Sequence, residues 1–102
     1  MPLVTTNLVV AETHRLLLFR AGARAATAAI ARIEESKRVT IEFATESHHR
    51  RAREWLDRLA NHAITHTAAV SFAVMDALRC TVALTFDHDL LVAGFSRWTP
   101  ET

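Results

Sequence analysis

Glycine and proline are nearly missing from this chain, with two of each in 102 residues. That scarcity excludes collagen-like, many-turned all-β and Pro/Gly-linker architectures. A single cysteine, Cys80, excludes a disulfide scaffold and a Cys-based zinc site, and it fits a reducing cytosol. No apolar run approaches the ~18–20 residues that a membrane span needs. The stretch Met1–Val10 has neither the basic n-region nor the cleavage site of a secretory signal. A cytoplasmic protein with no membrane role is expected. Neither sign of charge dominates, with 12 Lys and Arg against 11 Asp and Glu. The whole chain therefore lacks the electrostatic footprint of a nucleic-acid binder, although a local basic face is still open to it. A Gly-rich phosphate loop and a serine elbow are also lacking.

What is present points to helices. Half of the residues are hydrophobic, and eighteen are alanine. One domain spanning 1–102 is expected, large enough to bury a core. Thr5 and Thr6 are candidate caps for a first helix, about Asn7–Arg20, with Leu8, Glu12, Leu16 and Phe19 on one stripe. Gly22 can end it in the left-handed conformation, and a second helix covers about Ala23–Glu35. Arg38–Phe43 alternates like a strand with one wetter face. Thr45 can cap a third helix, about Glu46–Asn61, with Ala52, Trp55, Leu56, Leu59 and Ala60 as its apolar stripe. Thr67 can cap a fourth, about Ala68–Arg79, which is apolar nearly all round and hence buried. Thr81–Phe86 reads as a central parallel strand covered on both faces. A short helix at about Leu90–Ala93 and a last short strand at Phe95–Trp98 follow. Alternating helices and strands give an α/β layered fold with a parallel sheet, and three strands leave that sheet one short.

Several residues can carry chemistry. Asp87 and Asp89 sit at the carboxyl end of a strand, where ligands of open parallel sheets bind. They suit a hard divalent cation, and Asp87 equally suits a helix cap. Glu12 interrupts an apolar stripe, where a carboxylate is costly unless it is paired or bound to metal. A salt bridge to Arg15, or a wet stripe edge, accounts for it as well. His62 and His66 have i, i+4 spacing but straddle a helix junction with no third ligand at hand, which does not make a zinc site. Cys80 opens a strand beside apolar residues and reads as core packing. The third helix carries His48, His49, Arg50, Arg51, Arg53 and Arg58, a face that could follow a phosphate backbone. The same face offers Arg50 with Glu54, Arg53 with Asp57 and Glu54 with Arg58 as i, i+4 pairs, which would neutralise it.

Three segments together resemble the PIN-domain ribonucleases of the VapC toxin class. They are Leu3-Val4-Thr5-Thr6-Asn7-Leu8-Val9-Val10-Ala11-Glu12-Thr13, Thr65-His66-Thr67-Ala68-Ala69-Val70-Ser71-Phe72-Ala73-Val74-Met75, and Ala83-Leu84-Thr85-Phe86-Asp87-His88-Asp89-Leu90. Their order and spacing also agree. The resemblance implies a three-layer sandwich with a parallel sheet flanked by helices. It also implies an acidic cluster that binds Mg²⁺ or Mn²⁺ and cleavage of RNA by a metal-activated water. By position, Glu12 and Asp87 take the catalytic and metal-binding places, Asp89 joins them as a further ligand, and Thr67 lies beside the cluster. Arg50 and Arg51 are the candidate RNA contacts. The implied partners are an RNA substrate, a cognate antitoxin and another copy of the chain.

Two departures from the family pattern shape the expectation. The family's first strand, which ends in an Asp, and the helix after it precede the Leu3–Thr6 segment, so the chain is expected to lack them. Ala68 stands where the family has Asp, and Asp76 is two turns too far along the helix to replace it, about 12 Å at ~1.5 Å per residue. The expected function is a metal-dependent toxin endoribonuclease with impaired activity. The alternative is a catalytically silent PIN remnant that binds an antitoxin or itself.

Overall fold

The computed structural model describes residues 3–83 and 89–97. The chain divides into two compact units, Met1–Ala44 and Thr45–Thr102.

The first unit runs β1 (Leu3–Thr6), α1 (Asn7–Ala21), α2 (Ala23–Glu35) and β2 (Val39–Glu42). β1 and β2 are parallel, in register from Leu3 opposite Val39 to Thr6 opposite Glu42. Parallel neighbours need a long crossover, which the two helices supply. Thr6 serves both elements, since it ends β1 and its Oγ1 accepts the Val9 N–H at 3.1 Å to cap α1. Asn7 Oδ1 accepts the Ala44 N–H at 2.8 Å and ties the start of α1 to the end of the β2 segment. Gly22, with φ 92°, turns α1 into α2 in a conformation that L residues rarely adopt.

β1 is a strand that the sequence reading missed. Four residues flush against a helix cap give no alternation to detect, and the β-branched Val4, Thr5 and Thr6 were the only signal. The expected stripe on α1 also fails. Leu16 is 53% and Phe19 77% exposed, Glu12 is exposed, and no residue of α1 is buried. The run Leu16-Leu17-Leu18-Phe19 spreads apolar groups around the helix, so no single face gathers them.

The second unit runs α3 (Glu46–Arg58), a 3₁₀ turn (Ala60–His62), α4 (His66–Leu78), β3 (Val82–Ala83), α5 (Asp89–Val92) and β4 (Ser96–Arg97). α3 opens with a capping box. Thr45 Oγ1 accepts the His48 N–H, and His48 Nδ1 accepts the Thr45 N–H. α3 and α4 pack through Ala52, Trp55, Ala69, Phe72 and Ala73, which are all buried. Trp55, Phe72 and Phe95 form an aromatic triangle with ring centroids 5.4 to 5.8 Å apart. The fourth helix is thus buried as expected through Val74, while Leu78 at its end is 47% exposed.

α4 starts earlier than its sequence suggests. Thr65, not Thr67, is the cap, and its Oγ1 accepts the Ala68 N–H at 3.1 Å. Two threonines two residues apart offered the same chemistry, and the left-handed Ala63 before them directs the chain so that Thr65 takes the role. α3 in turn is shorter than expected, because its last stretch tightens into the 3₁₀ turn.

β3 and β4 pair in parallel, Val82 opposite Ser96 and Ala83 opposite Arg97. Residues 84–86 of the expected central strand lie outside the described residues. In the described part Val82 is 43% exposed, so that part is not sheltered on both faces. Cys80 is exposed, with its S–H directed at the Val82 carbonyl at 3.2 Å, which corrects its reading as a core residue. The left-handed Arg79 ends α4 and swings Cys80 away from the apolar interior. No helix among the described residues is long and apolar enough to cross a membrane.

Candidate functional site

The candidate acids fall on both units. Glu12 lies on α1 in the first unit, exposed, and none of the described residues pairs with it. The Arg15 salt bridge weighed for it is not made, since Arg15 reaches over the Phe19 ring instead, 5.8 Å from its centroid. Glu12 is therefore not a buried carboxylate that needs a partner or a metal to compensate it. What survives is a solvent-accessible carboxylate one and a half turns from the cap that joins α1 to β1.

Thr67, Ala68 and Asp89 belong to the second unit. Thr67 is half-buried in the first turn of α4, where its carbonyl accepts the Ser71 hydroxyl at 3.1 Å. Ala68 is 6% exposed, and its methyl group packs in the core where an acid was expected by resemblance. Asp89 is half-buried and opens α5, with an interaction partner of its own. Asp87 lies outside the described residues. Among the described residues no three His, Cys, Asp or Glu side chains come together to hold a metal ion. The described donors alone therefore do not make the oxygen-rich shell that a hard cation requires.

The basic face of α3 is tied down differently from the spacing argument. Arg51 donates from Nη1 to Glu54 at 2.6 Å and from Nε to Asp76 on α4 at 3.1 Å. Those bonds, Glu54 first, push its pKa up from the ordinary arginine value, so it stays charged at any workable pH. Trp55 Nε1 donates to the same Asp76 oxygen at 2.7 Å. Arg58 lies 4.6 Å from the centroid of the Trp55 ring. Arg50 meets Glu46 at 3.5 Å between two exposed side chains. None of the three expected pairs forms: Arg51, which also reaches Asp76 on α4, takes Glu54 from Arg50 and Arg58, and Arg53 and Asp57 do not meet. Arg51, offered as an RNA contact, is thus engaged within the protein. Arg53 has no acidic partner within 4 Å among the described residues.

Sequence reasoning missed two features here. Asp76 is the latch between α3 and α4, and its signal was a lone acid in a helix apolar nearly all round. The second is a stack of His49 on His66, with centroids 5.2 Å apart and planes 18° from parallel. Nothing in the spacing of residues 17 apart announces it.

The sequence of VapC20, a 23S rRNA-specific endonuclease from Mycobacterium tuberculosis, is 41% identical to this chain over 98 residues in both strain CDC 1551 / Oshkosh and strain H37Rv. The match covers 96% of this chain and 74% of that protein. The chain belongs to the VapC family. The crystal structure of M. tuberculosis VapC20, a Sarcin-Ricin loop cleaving toxin, superposes with a TM-score of 0.85 at 39% identity, over 92% of this chain and 72% of that one. The fold is therefore the PIN-like α/β fold of VapC toxins, with the parallel strand pairs and flanking helices described above. No general family profile matches the chain.

Proposed function

We propose that this VapC-family chain is the toxin of a toxin–antitoxin pair, a ribonuclease acting in the cytoplasm with reduced activity. The observation that carries the reading is the 41% identity to a 23S rRNA-specific endonuclease across nearly the whole chain. Glu12 and Asp87 are proposed as the catalytic, cation-binding acids, with Asp89 as a further ligand, Thr67 beside them, and Mg²⁺ or Mn²⁺ as the ion. The exposure of Glu12 leaves it accessible for that role. Reduced activity follows from Ala68, which supplies no charge to hold a hard cation. Large-subunit ribosomal RNA is the substrate to try first, with cut sites mapped by primer extension. Cleavage that stops on Glu12→Gln and on chelation of divalent ions is the expected result. Cleavage indifferent to both would sink the assignment.

A second reading has the chain catalytically silent and acting through an antitoxin or a second copy. The favouring observation is Asp76, the lone acid of α4, which is committed to Arg51 and Trp55 and cannot stand in for the carboxylate missing at Ala68. Stable partner binding with no detectable cleavage at any Mg²⁺ or Mn²⁺ concentration would select this reading.

A further inference from the structure

We infer that the His49–His66 stack and Arg53 form a contact patch for single-stranded RNA, in which a base lies against the exposed imidazole of His66 and Arg53 takes a phosphate. The inference rests on the ribonuclease reading and adds residues that the acidic positions do not include.

The two rings lie near-parallel with centroids 5.2 Å apart, an offset stack. His66 is exposed and His49 half-buried, so the stack is anchored on α3 and presented at the start of α4. A pre-ordered, sequence-tolerant aromatic surface is what proteins use to stack nucleobases. The cation comes from the same helix face. Arg53 follows His49 by four residues, which places it one helical turn away, ~5–6 Å between Cβ atoms. Of the basic residues on α3, Arg51 is bound to Glu54 and Asp76, Arg58 lies over Trp55, and His48 closes the capping box. Arg53 is exposed, and no carboxylate among the described residues neutralises it. An arginine left uncompensated beside a stacking surface complements a charged backbone that carries unpaired bases. The patch also adjoins the proposed chemistry along the chain, since His66 directly precedes Thr67 and Ala68 in the first turn of α4.

The test is fluorescence anisotropy of a labelled ten-nucleotide oligouridine with the purified full chain, without divalent ions to prevent cleavage and over a range of salt. Arg53→Ala should weaken binding at least fivefold and lower the salt slope by about one phosphate contact. His66→Ala should weaken binding about fivefold or more with an unchanged salt slope, and His66→Phe should restore it. Arg24→Ala, on α2, is the control and should bind as the parent does. If the parent binds and cleaves RNA while Arg53→Ala and His66→Ala bind as tightly as it does, the patch is wrong and the ribonuclease reading stands. If the parent neither binds nor cleaves RNA under any condition, both fall together.

Discussion

Asp76 shows how a single side chain organises a helix pair. One of its oxygens accepts from Arg51 Nε and Trp55 Nε1, both on α3, while Asp76 itself sits on α4. Asp76→Ala would leave the indole N–H without its partner next to a buried ring, a loss worth about 1–3 kcal/mol. The Arg51 contribution is discounted because its side chain is 39% exposed and water replaces the bond. The expected outcome is a lower urea midpoint with an unchanged slope, and an unchanged midpoint would show the latch to be idle. Ala68 poses the opposite problem. Ala68→Asp should raise Mg²⁺-dependent RNA cleavage under the proposed function. It should also destabilise the chain in the absence of cation, because the position is 6% exposed and a carboxylate there loses its hydration. Added Mg²⁺ should recover part of that loss by binding only the folded chain. Cleavage and a metal-dependent melting shift that both stay at the parent's level would remove position 68 from the site. At this scale the sequence was a partial guide. Glu12, Thr67 and Ala68 stand as candidates on motif resemblance alone, since the exposure of the α1 stripe removes the burial argument that first singled out Glu12. Arg53 and the His49–His66 stack depend on long-range packing that spacing along the chain does not encode.

At the level of elements, caps and turns were the legible part. Thr45 performs the role its chemistry suggested, Gly22 ends α1 but with ψ 168° rather than in the left-handed helical conformation, and Thr6, one of two threonines offered for the first cap, is the one that caps α1. α2 and β2 lie where periodicity placed them, within a residue or so. The misses have physical causes. β1 is four residues long, too short for a period of two to show. The start of α4 slipped by two residues because Thr65 and Thr67 are equivalent as caps until the path of the preceding turn is known. Gly22 gives a clean test of the α1–α2 corner. Its φ of 92° and ψ of 168° fall in a region that is essentially glycine-only, while no atom lies within 4 Å of where a Cβ would stand. Any penalty in Gly22→Ala is therefore backbone strain rather than a clash, of order 1–3 kcal/mol. A lower melting temperature is expected, together with faster amide exchange at the end of α1. A neutral or stabilising effect would mean that the corner relaxes into another turn without cost.

At the scale of the whole molecule, the α/β class and the parallel pairing were readable from alternating elements, and the structural likeness to VapC20 agrees with them. The large exposed hydrophobics were not readable, because exposure depends on what each helix packs against. They concentrate in the first unit, where Leu16, Phe19 and Phe43 are 53%, 77% and 70% exposed. Among its described residues only Ala26 and Thr6 are buried, so little of the apolar surface described there is kept from water. At about 25 cal/mol per Å², uncovered apolar surface of this kind drives association. Both described sheets have two strands, and strand edges among the described residues can template pairing with another chain. A homodimer or larger assembly burying more than ~1,000 Å² in total is therefore expected at micromolar concentration. Sedimentation velocity on the full chain checks it, with the double variant Leu16→Ser, Phe19→Ser as the comparison. Both residues are already exposed, so the exchange costs the fold little while it removes apolar area from the surface. The parent should sediment as an oligomer and the variant should shift toward monomer. A parent that stays monomeric, or an assembly that the double variant leaves intact, would show that these side chains do not join copies of the chain.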